Sequence, residues 1–276
     1  MGRHRAVADA LRVLTASPVA TRQPVQRRDD EPAFVLHAYP YRETSLIVEA
    51  FTSTYGRVAL VARGAKRPRS EMRGLLQAFA PLALTWSGTG ELKTLHRAEW
   101  RGGLPLPGGS ALLCGFYLNE LLLKLIARED PHPALFDDYA EALRALAERL
   151  GAADQATVLR GFELRLLAEL GYALPLTHDV ESGAAIDAAH RYHYVFDRGP
   201  RRAMANVARE PGRRWPTVRG ATLLALAARR FPDAEVAAEA KRLMREVLDH
   251  YLEARHIFSR RVVRDLQALD EEGPAA

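Results

Sequence analysis

Between residues 34 and 100 apolar and polar side chains alternate in short runs, the two-residue period of a half-buried strand. Phe34-Val35-Leu36-His37-Ala38-Tyr39 is the first run, and Ser45-Leu46-Ile47-Val48-Glu49-Ala50-Phe51-Thr52, rich in β-formers, is the second. Arg57-Val58-Ala59-Leu60-Val61-Ala62-Arg63 turns valine and leucine one way and alanine or arginine the other. Pro81 to Trp86 and Leu92 to Trp100 complete the set, and Tyr55-Gly56 and Gly88-Thr89-Gly90 supply hairpin turns. Five short strands in about 70 residues predict a partly open Greek-key barrel of the OB type, which binds single strands or oligomers across one face.

Gly102-Gly103, Pro105, Pro107 and Gly108-Gly109 then break the pattern, and the period beyond them is helical. Ser110 is placed as the N-cap of a helix running to about Arg128, followed by helices from His132 to Leu150, Asp154 to Leu170 and Thr217 to Arg230. A last helix capped by Asp233 is expected to reach about Phe258. The chain therefore reads as α+β: an arm over residues 1–32 expected to be disordered, a barrel over 33–103 and an α-helical bundle over 104–276. Residues 172–215 interrupt the bundle without helical period and contain the β-like run Tyr192-His193-Tyr194-Val195-Phe196.

Charge sharpens this division. Residues 33–103 hold 10 Lys/Arg against 5 Asp/Glu, residues 1–32 hold 6 against 4, and residues 104–276 hold 23 against 25. The net +5 of the chain thus sits on the barrel and the arm before it, which favours a polyanion there. Much of it falls in Arg63-Gly64-Ala65-Lys66-Arg67-Pro68-Arg69-Ser70-Glu71-Met72-Arg73, where Gly64 and Pro68 exclude a regular strand or helix. Each phosphate neutralised by such a side chain releases condensed cations, whatever the base sequence. Arg63, Lys66, Arg67, Arg69 and Arg73, with Arg42, Arg57, Lys93 and Arg97 around them, are the candidate DNA contacts. Tyr41 and Tyr55, beside polar turns, are candidate base-stacking residues, whereas Phe51 and Phe79 read as core.

Several classes of activity have no support. A phosphate-binding Walker loop, a Gly-x-Ser-x-Gly elbow and a His-Glu-x-x-His pair are all missing, so no catalytic residue is expected. The lone Cys114, on an apolar helix face, excludes an intramolecular disulfide and fits a reducing compartment. No stretch has the roughly 18 apolar residues of a membrane span, and residues 1–31 lack the apolar core of a secretory signal.

Phe34-Val35-Leu36-His37, Tyr41-Arg42-Glu43-Thr44-Ser45-Leu46, Phe51-Thr52 with Gly56-Arg57-Val58, Leu60 to Ala65 and Gly90-Glu91-Leu92-Lys93-Thr94-Leu95 together resemble the N-terminal part of the bacterial RecO recombination mediators. The resemblance continues through Tyr117-Leu118-Asn119-Glu120-Leu121-Leu122, Phe162-Glu163-Leu164 with Leu170-Gly171-Tyr172, and Phe231-Pro232-Asp233. It implies an OB-fold protein of DNA repair and recombination that binds single-stranded and duplex DNA and anneals complementary strands. It also implies two protein partners, the ring-forming RecR and the acidic, Phe-ended tail of single-strand-binding protein, with recombinase reached indirectly. The cytoplasm, at the nucleoid, is the expected location.

Many relatives carry a four-cysteine zinc module where residues 172–215 lie. Here His178-Asp179-Val180-Glu181-Ser182 stands in place of the first Cys-x-x-Cys pair and no second pair exists, so no metal or other cofactor is expected. A metal held by His178, Asp179 and Glu181 with His190 or His193 is the alternative for this stretch. For the acidic tail, Leu159, Arg160 and Arg165 on the third helix are the candidate site, with Arg160 as the rim cation. The alternative for the whole chain is an OB adaptor for RNA or an acidic protein, with no role on DNA.

Overall fold

In the computed structural model the described residues are 27–148, 151–203, 215–252 and 257–262. Five strands, β1 (Arg27–Tyr41), β2 (Ser45–Thr52), β3 (Gly56–Ala62), β4 (Pro81–Ser87) and β5 (Leu92–Trp100), close into a barrel in the order β1-β2-β3-β5-β4. The neighbours are antiparallel apart from β3 and β5. The barrel is closed rather than partly open, because β1 is long enough to pair with β2 along one half and with β4 along the other. It starts seven residues before the alternating pattern does: Arg27 and Arg28 pair with Ser87 and Trp86, and Glu31 and Pro32 with Leu84 and Ala83. The boundary expected after residue 32 therefore falls inside a strand. Residues 1–26, the rest of the expected arm, lie outside the described residues.

The interior is filled by Val35, Val48, Val58, Leu60, Leu82, Leu84, Trp86 and Leu95. The opposite sides of the same strands build a second core. Phe34, Leu36 and Phe51, with Phe79, pack on the helices that follow, α1 (Ser110–Leu125), α2 (Pro133–Ala147), α3 (Ala152–Glu169), α4 (Gly220–Ala228) and α5 (Ala234–Tyr251). A slip in register between Val35 and His37 takes Leu36 out of the ladder with β2. Asn119 on α1 donates to the Leu36 carbonyl at 2.9 Å and accepts from the Tyr139 hydroxyl of α2, so the bulge is where the bundle grips the barrel. Gly115 permits the approach, since a Cβ there would lie 2.9 Å from the Phe79 ring.

Helix limits differ in detail from the periodic reading. Gly109, not Ser110, caps α1, and α3 begins two residues before Asp154, which lies in its first turn. Asp233 caps α5 as expected, accepting from the Val236 amide at 2.8 Å, but α5 ends at Tyr251. Residues Thr217–Arg219, expected to be helical, instead form β8 beside β6 (Arg191–Val195), with β7 (Gly199–Arg202) on the other edge.

That small sheet is the interruption in the bundle, and a carboxylate organises it. Asp179 accepts from the amides of Glu181, Ser182 and Arg202 and from the Ser182 hydroxyl, at 2.6–2.9 Å. Burial alone would raise its pKa, but these donors win and hold it below the ordinary aspartate value. The other candidate ligands have separate partners: His178 meets Thr177, Glu181 meets Arg201, His190 meets Asp187 and His193 meets Thr217. Among the described residues, no three His, Cys, Asp or Glu side chains converge as a metal site would require.

Candidate nucleic-acid interface

The basic loop of residues 63–80 joins β3 to β4 as a plug. Ala65 and Leu76 are buried in the barrel interior, and Met72 and Ala80 pack against it. The backbone winds through successive turns, in which Arg67, Ser70 and Arg73 donate their amides to the carbonyls of Gly64, Arg67 and Ser70 at 3.0–3.1 Å. The Lys66 amide donates to the Thr44 carbonyl at 2.9 Å, tying the plug to the β1–β2 turn. Ala65 and Leu76 anchor the two ends of this run of turns and Met72 packs beneath it, which leaves Lys66, Arg67, Arg69 and Arg73 exposed. Among the described residues no carboxylate pairs with any of these four or with Arg63, and Glu71 is the only acid of the 63–73 stretch. Arg42, in the turn tied to the plug, lies 5.2 Å from the centroid of the Tyr41 ring.

Aromatic surface lies at the same end. Trp100 closes β5 opposite Leu82 and is 62% exposed. Tyr39, near the end of β1, is 45% exposed and packs on the His37 ring at 4.2 Å between centroids. These two, rather than Tyr41, present stackable faces, because Tyr41 is half-buried under Arg42. Tyr55 lies at the opposite end, edge-on to Trp86 at 5.6 Å with the Arg28 guanidinium 4.6 Å from its centroid. Phe51 and Phe79 are core residues.

Two of the expected DNA contacts belong to the junction with the bundle. Arg57 pairs with Glu49 at 2.8 Å and donates to the Ile126 carbonyl, while Arg128 takes the other Glu49 oxygen. Lys93 is buried, donating to Glu129 and to the Gly90 carbonyl. Glu49 is itself buried, and a buried carboxylate without cations would be strongly destabilising. Arg57 and Lys93 are therefore corrected from phosphate contacts to struts between barrel and bundle. Arg97 is exposed, but Glu99 and Asp30 already offset its charge.

A second cationic site opens between α1, α3 and α5. Its cavity is about 160 Å³, walled by Leu113, Cys114, Tyr117 and Leu159. Burial pushes the Cys114 thiol up, against the pull of Arg160 and Lys241, so it stays protonated. Arg160 is not an exposed rim residue as expected: it is buried and paired with Glu163, which also accepts from the Tyr117 hydroxyl at 2.7 Å. The rim cations are Lys241 and Arg245, one turn apart on α5, with Arg260 beside them. Burial, then the charges of Arg245 and Arg160, lower the Lys241 pKa. Leu159 lines the cavity; Arg165 does not, being held by Asp138 and Glu141 of α2. Lys241 and Arg245 left a trace in the sequence, like charges at i and i+4 on a helix face, an arrangement that is unfavourable unless an anion meets it. No helix among the described residues is long and apolar enough to cross a membrane.

Residues 29–104 match the family model described as recombination protein O N terminal, and residues 108–261 match recombination protein O C terminal. A protein named DNA repair protein RecO from Aromatoleum aromaticum is 52% identical over 244 residues, 88% of this chain and 98% of that one. One of the same name from Nitrosospira multiformis is 49% identical over 248 residues, with the same coverage of each chain.

Proposed function

The chain belongs to the RecO family of DNA repair proteins, and from that premise we propose that it is a non-enzymatic recombination mediator working in the cytoplasm at the nucleoid. The plug loop binds single-stranded DNA, and duplex more weakly, mainly through phosphates. The observation that carries this reading is the row of exposed cations Lys66, Arg67, Arg69 and Arg73, which no described carboxylate offsets. Trp100 and Tyr39 at the same end add stacking faces that tolerate any base. A cationic surface of this kind lowers repulsion between two strands, so annealing proceeds without nucleotide hydrolysis.

The cavity between α1, α3 and α5 takes the acidic, Phe-ended tail of single-strand-binding protein. Its volume of about 160 Å³ is near that of a cavity known to hold benzene, and Lys241 and Arg245 stand ready for the carboxylates. By gripping both the coated strand and its coat, and with RecR, the protein helps load recombinase. The test is fluorescence anisotropy with labelled single-stranded DNA and matched RNA across a salt series. A log–log slope of about −0.7 per phosphate contacted, with several contacts and no preference for ribose, is expected. Absence of binding at low salt would overturn the DNA reading and leave the plug as a dock for an acidic protein.

A further inference from the structure

The tail cavity holds more positive charge than its surroundings offset. Arg160, Lys241, Arg245 and Arg260 line it; Glu163 offsets Arg160 and Asp249 offsets Arg260, which leaves Lys241 and Arg245. Inside it, Arg160 Nε, Glu163 Oε2 and Ser259 Oγ are buried without hydrogen-bond partners. Among the described residues no carboxylate pairs with Lys241 or Arg245. An incoming anion offsets Lys241 and Arg245 and offers the Arg160 Nε–H an acceptor.

One wall of the cavity is a strap, residues 257–262, that follows α5 in the chain. The amides of Phe258 and Ser259 donate to Glu120 on α1 at 2.7 and 2.8 Å, and Arg260 pairs with Asp249 at 2.6 Å. The strap brings the chain to Val262, two residues beyond a cavity-lining arginine. The sequence after it runs Val263-Arg264-Asp265-Leu266-Gln267-Ala268-Leu269-Asp270-Glu271-Glu272, with four acids to one arginine and leucines at 266 and 269. Acidic residues beside apolar side chains are the chemistry for which the cavity is built.

We propose that residues 265–272 compete in cis for the cavity, so that the protein carries its own rival for the acidic tail of single-strand-binding protein. The inference rests on the tail reading of that cavity. Asp270 is eight residues past Val262, a reach of up to about 26 Å when extended, so the tether does not limit access. A short tether sets an effective concentration near millimolar, at which a contact too weak to matter between separate molecules is populated. The cis segment would keep the cavity from loose acidic peptides and yield to many tails presented together on a coated strand.

The experiment compares the full chain with its Asp270→Asn, Glu271→Gln, Glu272→Gln variant, using a labelled acidic, Phe-ended peptide. The variant is expected to bind about 3- to 10-fold tighter. A second probe, a synthetic peptide of residues 263–276, is expected to bind the variant in trans with a Kd of about 0.1–0.5 mM and to be weakened by Lys241→Ala and Arg245→Ala. Equal affinity of full chain and variant for the acidic peptide overturns the proposal. If the acidic peptide binds neither form while the chain's own peptide binds, the cis contact stands and the tail reading falls. If neither peptide binds, both fall.

Discussion

The two ends of the barrel use the same basic side chains for opposite purposes. At the end turned to the bundle, Arg57, Lys93 and Arg128 converge on Glu49 and Glu129. Glu49 is 4% exposed, and burying its charge demands cations close by. At the far end Lys66, Arg67, Arg69 and Arg73 stand on a loop anchored by Ala65 and Leu76, with no described carboxylate opposite them. Those cations repel one another, a cost that an external polyanion removes. A basic residue on this barrel is thus assigned by the carboxylate it faces, rather than by its strand or its neighbours in sequence.

The sharpest way to break the covered end is Gly56→Ala. Gly56 sits at φ +64°, and a Cβ would come 1.9 Å from the Asp130 carbonyl oxygen. The expected loss is at least about 3 kcal/mol, read as a drop in the urea midpoint; a drop below about 1 kcal/mol would mean that the two parts are not locked there. Next comes the open end. Replacing Lys66, Arg67 and Arg69 together by alanine should flatten the salt slope of single-strand binding by about 2, roughly 100-fold in affinity between 1 M and 0.1 M salt. The urea midpoint should stay put, and an unchanged slope would remove the plug as the contact.

Arg57→Met tests the correction directly. It leaves Glu49 with Arg128 alone and should cost about 2 kcal/mol of stability with an unchanged salt slope. A lost phosphate contact in the slope would return Arg57 to the interface. The smallest effect belongs to Trp100→Ala, expected to weaken single-strand binding about fivefold at every salt concentration. Equal weakening of duplex binding would show that the indole does not stack on bases.

Much of this molecule was legible from periodicity. The five strands, the break after Arg101 and the helices follow from spacing, because each element buries one face against a core. The start of β1 was not, since Arg27-Arg28-Asp29-Asp30-Glu31 has no apolar period and is held as strand by pairing with β4. Charge was legible and its use was not. Lys93 meets Glu129 and Glu49 meets Arg128 across 36 and 79 positions, separations that no local pattern reports. The cavity between α1, α3 and α5 was half legible: Leu159 and Arg160 were in view on one helix, while Lys241, Arg245 and Arg260 arrive from elsewhere in the chain.

The apolar outer wall of the barrel has a consequence for synthesis on the ribosome. Phe34, Leu36, Phe51 and Phe79 are covered by residues of α1 and α2, among them Phe116, Asn119, Phe136 and Tyr139. A nascent chain that has emerged only to Trp100 has every strand of the barrel and no cover for that wall. Until the second helix follows, the half-made protein presents a sticky flank to the cell. A fragment cut after residue 103 would keep that flank permanently, so the barrel cannot be borrowed as a module without the first two helices.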